Sequence, residues 1–326
     1  MKNLLKLIVI LAPLMLFNQC KTMNPKQWHP YNDLPQLSSL SEIEYPYQVH
    51  HANLSDGRSL AYVDEGSGSE TIIFIHGLGS YLPAWKKNIE ELKSHFRCIA
   101  IDLPGYGHSG KEPHSGMMTF YAGIIVDFMD QLGLENAVLA GHSMGGQISM
   151  VAAIKHPERV KRLILAAPAG FERFTEGQKQ WFRNVMTVRG VMLTRVEDIV
   201  SNLAYNFYEL PADAEFMITD RIAMRSADDF EAYSYAVVRS VNGMVDESVI
   251  DHLDKITQPT LILFGENDNL IPNRFLNPGP TIDVANVGAQ AIKGSKLVML
   301  PKTGHFLQFE NYQRFNEEVI SFLKPR

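Results

Sequence analysis

No basic cluster occurs anywhere in the chain's 326 residues, and the formal net charge is −6. A protein that holds nucleic acid gathers lysine and arginine against phosphates, so nucleic acid is not an expected partner. Cysteine is nearly missing, with only Cys20 and Cys98. Two cysteines build no disulfide framework, and neither has the spacing of a zinc ligand, so no metal site is expected. Cys98 sits in an apolar run and reads as a small core residue. Internal repeats and low-complexity segments are absent too, which excludes repeat architectures. What remains is ordinary: 45% hydrophobic and 20% charged, enough for one large domain or a domain with an insertion.

The chain also lacks an apolar run long enough to span a bilayer comfortably. The longest near the start, residues 7–17, follows Lys2 and Lys6 and fits the core of a signal peptide. It ends in Leu16-Phe17-Asn18-Gln19-Cys20. A cysteine so placed resembles a bacterial lipoprotein signal, in which that residue is lipidated and becomes the mature N-terminus. Asn18 and Gln19 depart from the small residues usual there. A simple secretory signal or an uncleaved anchor are the alternatives. The expectation is an exported protein with a signal peptide over 1–20, held at a cell-envelope membrane through lipid on Cys20. Residues 21–44, polar with Pro25, Pro30 and Pro35, read as a tether.

Strand-like runs lie at 45–51, 59–63, 71–75, 96–101, 137–140, 160–167, 260–265 and 296–300. Helical periodicity fills 84–96, 117–132, 147–154 and 309–323. Continuously apolar strands alternating with helices predict an α/β fold: a mostly parallel sheet covered on both faces. The alternation stops between residues 171 and 255, which are rich in helix formers, aromatics and methionines. The expected organisation is therefore a core of 45–170 and 256–326 with a helical cap inserted over 171–255. An inserted layer above the C-terminal strand ends would roof a site there.

The chemistry centres on Gly141-His142-Ser143-Met144-Gly145-Gly146, which reads G-x-S-x-G between a strand and a helix. Five residues recur by chance, but that flanking context does not. A sharp turn exposes the Ser143 hydroxyl, and the glycines either side avoid clashes with the neighbouring strand and helix. A serine needs a base, and the base needs an orienting carboxylate. Among eleven histidines, His305 lies just after the last strand, on the edge where a parallel sheet forms its site. His142 reads as structural, His156 as a surface residue and His252 as a weak rival. His108 and His114 lie in a loop bordering the site, without an evident carboxylate. For the acid, Asp268 sits just past the tip of the strand at 260–265, with Glu266 as the alternative; Asp251 and Asp254 precede that strand, at the wrong edge. Two backbone amides would receive an oxyanion, Met144 after the nucleophile and Leu78 in His76-Gly77-Leu78-Gly79. None of this chemistry needs a cofactor.

The order Ser143, Asp268, His305, with His76-Gly77-Leu78-Gly79 and Asp102-Leu103-Pro104-Gly105-Tyr106-Gly107-His108-Ser109, resembles the α/β-hydrolase fold superfamily from about residue 45 to the C-terminus. The elbow is similar to that of capped bacterial esterases and monoacylglycerol lipases, and also of carbon–carbon bond hydrolases of aromatic degradation. The resemblance implies Ser143, Asp268 and His305 as the triad, and Leu78 and Met144 as the oxyanion hole. Serine at the elbow argues against the dehalogenase and epoxide-hydrolase branches, which use aspartate. The expected activity is hydrolysis of a small-molecule carboxylic ester with a short-to-medium acyl chain. A carbon–carbon hydrolase with the same residues, or a capped pocket that binds a small ligand without turnover, are the alternatives.

Overall fold

The computed structural model describes residues 31 and 33–324. The expected signal peptide, Cys20 and the first part of the expected tether lie outside the described residues. Two compact units divide the chain, Met1–Leu34 and Pro35–Arg326. The sheet, the cap and the cavities all belong to the second. Among the described residues no helix is long and apolar enough to cross a membrane.

Eight strands form one sheet: β1 (His50–Asn53), β2 (Ser59–Glu65), β3 (Thr71–Ile75), β4 (Arg97–Ile101), β5 (Ala137–His142), β6 (Val160–Ala166), β7 (Thr260–Gly265) and β8 (Lys296–Leu300). Their order across the sheet is β1-β2-β4-β3-β5-β6-β7-β8. The β1–β2 and β2–β4 pairs are antiparallel, and all the others are parallel. Strands β5 and β7 are buried at every position, which is why they read as unbroken apolar runs. Helices α1 (Lys86–Leu92), α2 (Met118–Gln131) and α3 (Met144–Lys155) follow β3, β4 and β5. Between β6 and β7 come α4 (Glu176–Val185), α5 (Val188–Met192), α6 (Val196–Tyr205), α7 (Glu215–Ala223) and α8 (Phe230–Asp246). Then α9 (Thr281–Ala291) joins β7 to β8, and α10 (Leu307–Glu310) and α11 (Tyr312–Leu323) close the chain.

The mostly parallel sheet with a helical insertion is as expected, and several boundaries are not. The strand expected at 45–51 starts only at His50. Tyr45 is drawn off instead, its hydroxyl donating to Asp102 over 2.7 Å and its ring stacked on His108. The helix expected over 84–96 is a 3-10 turn, Leu82–Trp85, followed by the short α1. Helix α9 escaped the sequence reading altogether. Its buried face is made of Thr281, Ala285 and Gly288, while its large apolar side chains Ile282 and Val287 are exposed. Small residues on the inner face invert the hydropathy pattern by which a helix is recognised.

The tether expected over 21–44 is also shorter than its proline content suggested. Leu40 and Ile43 are buried in the main core. The Leu37 amide donates to Ser226 Oγ and the Leu40 amide to Asp229 Oδ1, at 2.8 and 3.0 Å. Apolar residues at three-residue spacing let this segment pack on the cap and leave no free linker there.

Candidate active site

The nucleophile turn is built by β5 and α3. Ser143 has φ 52° and ψ −116°, a left-handed conformation that a β-carbon makes costly. Three amides, from Gly146, Gln147 and Ala169, donate to its carbonyl, and its own amide donates to Ala166 O. Those four bonds hold the strain in place. The flanking glycines are required by space. A β-carbon on Gly141 would lie 2.2 Å from Gly145 O, and one on Gly145 would lie 2.2 Å from Ile75 O. The expected clashes with helix and neighbouring strand are both present.

His305 follows β8 and is buried. Its Nδ1 donates to Asp268 Oδ2 over 2.7 Å. The other carboxylate oxygen of Asp268 accepts from the amides of Leu270 and Ile271, at 2.7 and 3.0 Å. The carboxylate is thus fully hydrogen-bonded away from water, as a group must be to orient an imidazole. Glu266, the alternative acid, is exposed, and its amide pairs with Leu300 O at the strand end. Ser143 and His305 line one cavity, together with Leu78 and its neighbour Gly77. The amides of Leu78 and Met144 donate to no group among the described residues, which leaves both for an oxyanion.

His142 belongs nearer the chemistry than its structural reading allowed. Its Nε2 donates to the His305 carbonyl over 3.0 Å, and the two rings lie 4.8 Å apart. Burial pushes its imidazole well below the ordinary histidine range, and the neighbouring His305 adds to that. It is therefore neutral at Nδ1, which has no partner among the described residues. Of the loop histidines, His108 bonds the Ile43 carbonyl, and His114 stacks on Phe120 with its pKa pushed down to about 4 by burial. Neither meets the triad residues.

The cap supplies what the sequence left out. The Asn206 carbonyl, just after α6, accepts from the amides of His305 and Phe306 at 2.7 and 3.1 Å. Gln147 on α3 reaches the cap by donating to the carbonyls of Met244 and Glu247. No local signal marks Asn206, because the bond uses only its backbone.

Two cavities meet around Leu78, Asn206 and Phe306. The one containing Ser143 and His305 measures about 730 Å³, and Phe174, Phe182, Val241, Met244 and Leu270 give it apolar walls. Arg173 and Lys179 also line it, but each is already paired, with Asp251 and Glu176. Glu172 adds a carboxyl whose pKa is raised by burial. The second cavity, about 380 Å³, is lined by Met186, Met217, Met224 and Arg221. Arg221 lies over the rings of Phe230 and Tyr233, and its Nη1 has no hydrogen-bond partner among the described residues. Methionines of the cap thus contribute to both cavities. Of its aromatics, Phe171, Phe207, Phe230 and Tyr233 are buried, whereas Trp181, Tyr205, Tyr208 and Tyr235 are exposed. Among the described residues no group of His, Cys, Asp and Glu is arranged to hold a metal ion.

Comparison with known proteins places this geometry. The family model for the alpha/beta hydrolase fold matches residues 70–312. A dihydrolipoyllysine-residue acetyltransferase component of the acetoin cleaving system from Cupriavidus necator is 27% identical over 80% of this chain. The chain spans only 65% of that relative's length. A 2-hydroxy-6-oxononadienedioate/2-hydroxy-6-oxononatrienedioate hydrolase from Escherichia coli K12 is 28% identical, covering 80% of this chain and 89% of its own. Among solved structures, a membrane phospholipase A is 26% identical with a TM-score of 0.66, covering 85% of each chain.

Proposed function

The chain belongs to the α/β-hydrolase fold family, and on that premise we propose that it hydrolyses carboxylic esters of short-to-medium apolar acyl chain through an acyl-enzyme. Ser143 Oγ attacks the ester carbonyl carbon while His305 takes its proton. The oxyanion is received by the amides of Leu78 and Met144. His305 returns the proton to the alcohol oxygen as the ester bond breaks. A water then attacks the acyl carbon, again giving its proton to His305, which returns it to Ser143 Oγ as the acyl–oxygen bond breaks and the acid leaves. Asp268 holds the imidazole in the tautomer that this cycle needs.

The observation that carries the reading is the 730 Å³ cavity beside Ser143, whose apolar walls include no unpaired cation among the described residues. A neutral acyl chain fits such a wall, and each buried methylene adds roughly 0.8 kcal/mol. A carboxylate there would meet Glu172 instead of a counter-ion. The likeness to a phospholipase, an ester hydrolase by name, supports the same side. To test it, kcat/KM is measured for p-nitrophenyl esters from acetate to palmitate. A maximum at intermediate chain length supports the reading; a steady fall from acetate, or preference for emulsified long-chain triglyceride, rejects it.

One observation favours the carbon–carbon alternative. Arg221 in the smaller cavity, whose Nη1 has no hydrogen bond among the described residues, would suit a substrate with an anionic arm, and one relative is named for hydrolysing a dioate. Turnover of a vinylogous diketone acid, with none of any ester, would decide for that reading.

A further inference from the structure

The loop that carries the Leu78 amide has no secondary structure of its own. Its turn is closed by one bond, Ser80 N to Gly77 O at 3.2 Å, with Gly79 at φ +66°. Its far end is fixed by the core, where the Leu82 amide donates to Asp102 Oδ1 over 2.7 Å. Between these points it is held by the cap. The Tyr233 hydroxyl, on α8, donates to Gly79 O over 3.1 Å. Asp220 of α7 accepts from the Tyr81 hydroxyl over 2.5 Å. Both tyrosines are buried, and burial raises both their pKa values, so each stays a neutral donor. Tyr233 is itself wedged by an edge-on contact with Tyr106 and by the Arg221 guanidinium. The other oxyanion amide, Met144, rides on α3 and needs no such help.

We propose that Tyr233 and Asp220 are positioning residues for the oxyanion hole: by clamping Gly79 and Tyr81 they make the Leu78 amide competent only while the cap is seated. The proposal rests on the ester-hydrolase reading for its kinetic consequence and on geometry alone for the clamp. An oxyanion donor works because it is already aimed when charge develops. A loop free to swing must be ordered during the reaction, and that ordering raises the barrier. Substrate entry that lifts the cap would release both contacts together, so closure restores the hole before chemistry.

The test compares wild type with Tyr233→Phe, Asp220→Ala and Asp220→Asn in the full chain. Tyr233→Phe removes one oxygen from a packed ring, so the fold is kept. Its kcat on the best p-nitrophenyl ester should fall about tenfold, a fraction of the loss from removing a donor outright. KM should stay within about twofold, because ground-state contacts are untouched. Asp220→Ala should behave alike, and Asp220→Asn, which keeps an acceptor for Tyr81, should recover most of the rate. Hydrogen exchange in peptides covering residues 77–82 should quicken in Tyr233→Phe and Asp220→Ala and not in Asp220→Asn. Unchanged exchange overturns the clamp. Faster exchange with unchanged kcat overturns its role in positioning, as would an Asp220→Asn variant as slow as Asp220→Ala. If wild type turns over no ester, the ester reading fails, and the exchange experiment still decides the clamp.

Discussion

The two halves of the site are made differently. The core half, Ser143 with the Met144 amide, lies at adjacent positions in one strand–turn–helix unit, and its strain is held by bonds from Gly146 and Gln147 in that unit and by Ala166 and Ala169 at the end of the neighbouring strand β6. The cap half is assembled across long distances: the Asn206 carbonyl steadies His305, Tyr233 and Asp220 hold the Leu78 loop, and Phe174, Phe182 and Met244 shape the cavity. The reacting groups are thus set by local backbone geometry. Their alignment and the substrate's fit are set by a separate layer that has other packing to satisfy. Chemistry should then be intolerant of change in the core half, and selectivity tunable in the cap half.

The sharpest break in that comparison is Ser143→Ala. It should remove essentially all turnover, and a fluorophosphonate probe should label wild type alone; labelling that survives in the variant puts the nucleophile elsewhere. Next in size is Asp268→Asn, expected to lower kcat on the order of 10⁴ by analogy with the serine proteases, because the imidazole loses the tautomer that His305 needs. Glu266→Gln, on an exposed side chain, should leave kcat nearly as it was. The reverse ranking in steady-state kinetics would transfer the orienting role to Glu266.

Changes to the cap side chains that wall the cavities should act on selectivity instead. Met244→Ala opens the larger cavity by about three methylenes, so the preferred acyl chain should lengthen, at about fourfold in kcat/KM per added methylene. Met186→Ala, in the smaller cavity, should leave the acyl optimum where it was and change the preferred alcohol. If both variants shift the acyl optimum equally, the acyl chain is not confined to the larger cavity.

The smallest effect is one of pH. Burial raises the Glu172 pKa above its ordinary 4.5 even though Asn273 and Asn277 donate to the carboxylate. The folded state therefore holds this proton more tightly than the unfolded chain does. Its contribution to stability is complete below pH 4.5 and is lost as pH rises through the folded-state pKa. Glu172→Gln should then gain Tm relative to wild type at pH 8 compared with pH 4. A difference that is flat with pH would show that Glu172 does not titrate in this way.

How much was legible follows the same division. The elbow, the buried parallel strands and the Asp268–His305 pair were readable because each depends on short-range pattern: continuous apolar runs, glycines where a β-carbon cannot fit, and residues at strand tips on one edge of a parallel sheet. Asp268 was separable from Glu266 by its place past the strand tip, and only Asp268 meets His305. Helix α9 was unreadable because its inner face is small. The packing of Leu37, Leu40 and Ile43 on the cap was masked by prolines upstream.

The sequence by itself determined the class of fold and the candidate reacting atoms, since strand, turn and helix signals act over a few residues and the elbow's strain admits few residue types. Only the tertiary structure decided how those atoms are steadied and what they face. The Asn206 carbonyl carries no side-chain signature. The Tyr233–Gly79 bond joins residues 154 positions apart. The pairing of Arg173 with Asp251 and of Lys179 with Glu176, while Arg221 finds no carboxylate among the described residues, is a matter of which charges meet once the cap has closed over the sheet. Long-range contacts of this kind leave no periodicity in the chain, because they are selected by packing and by the need to satisfy buried polar groups.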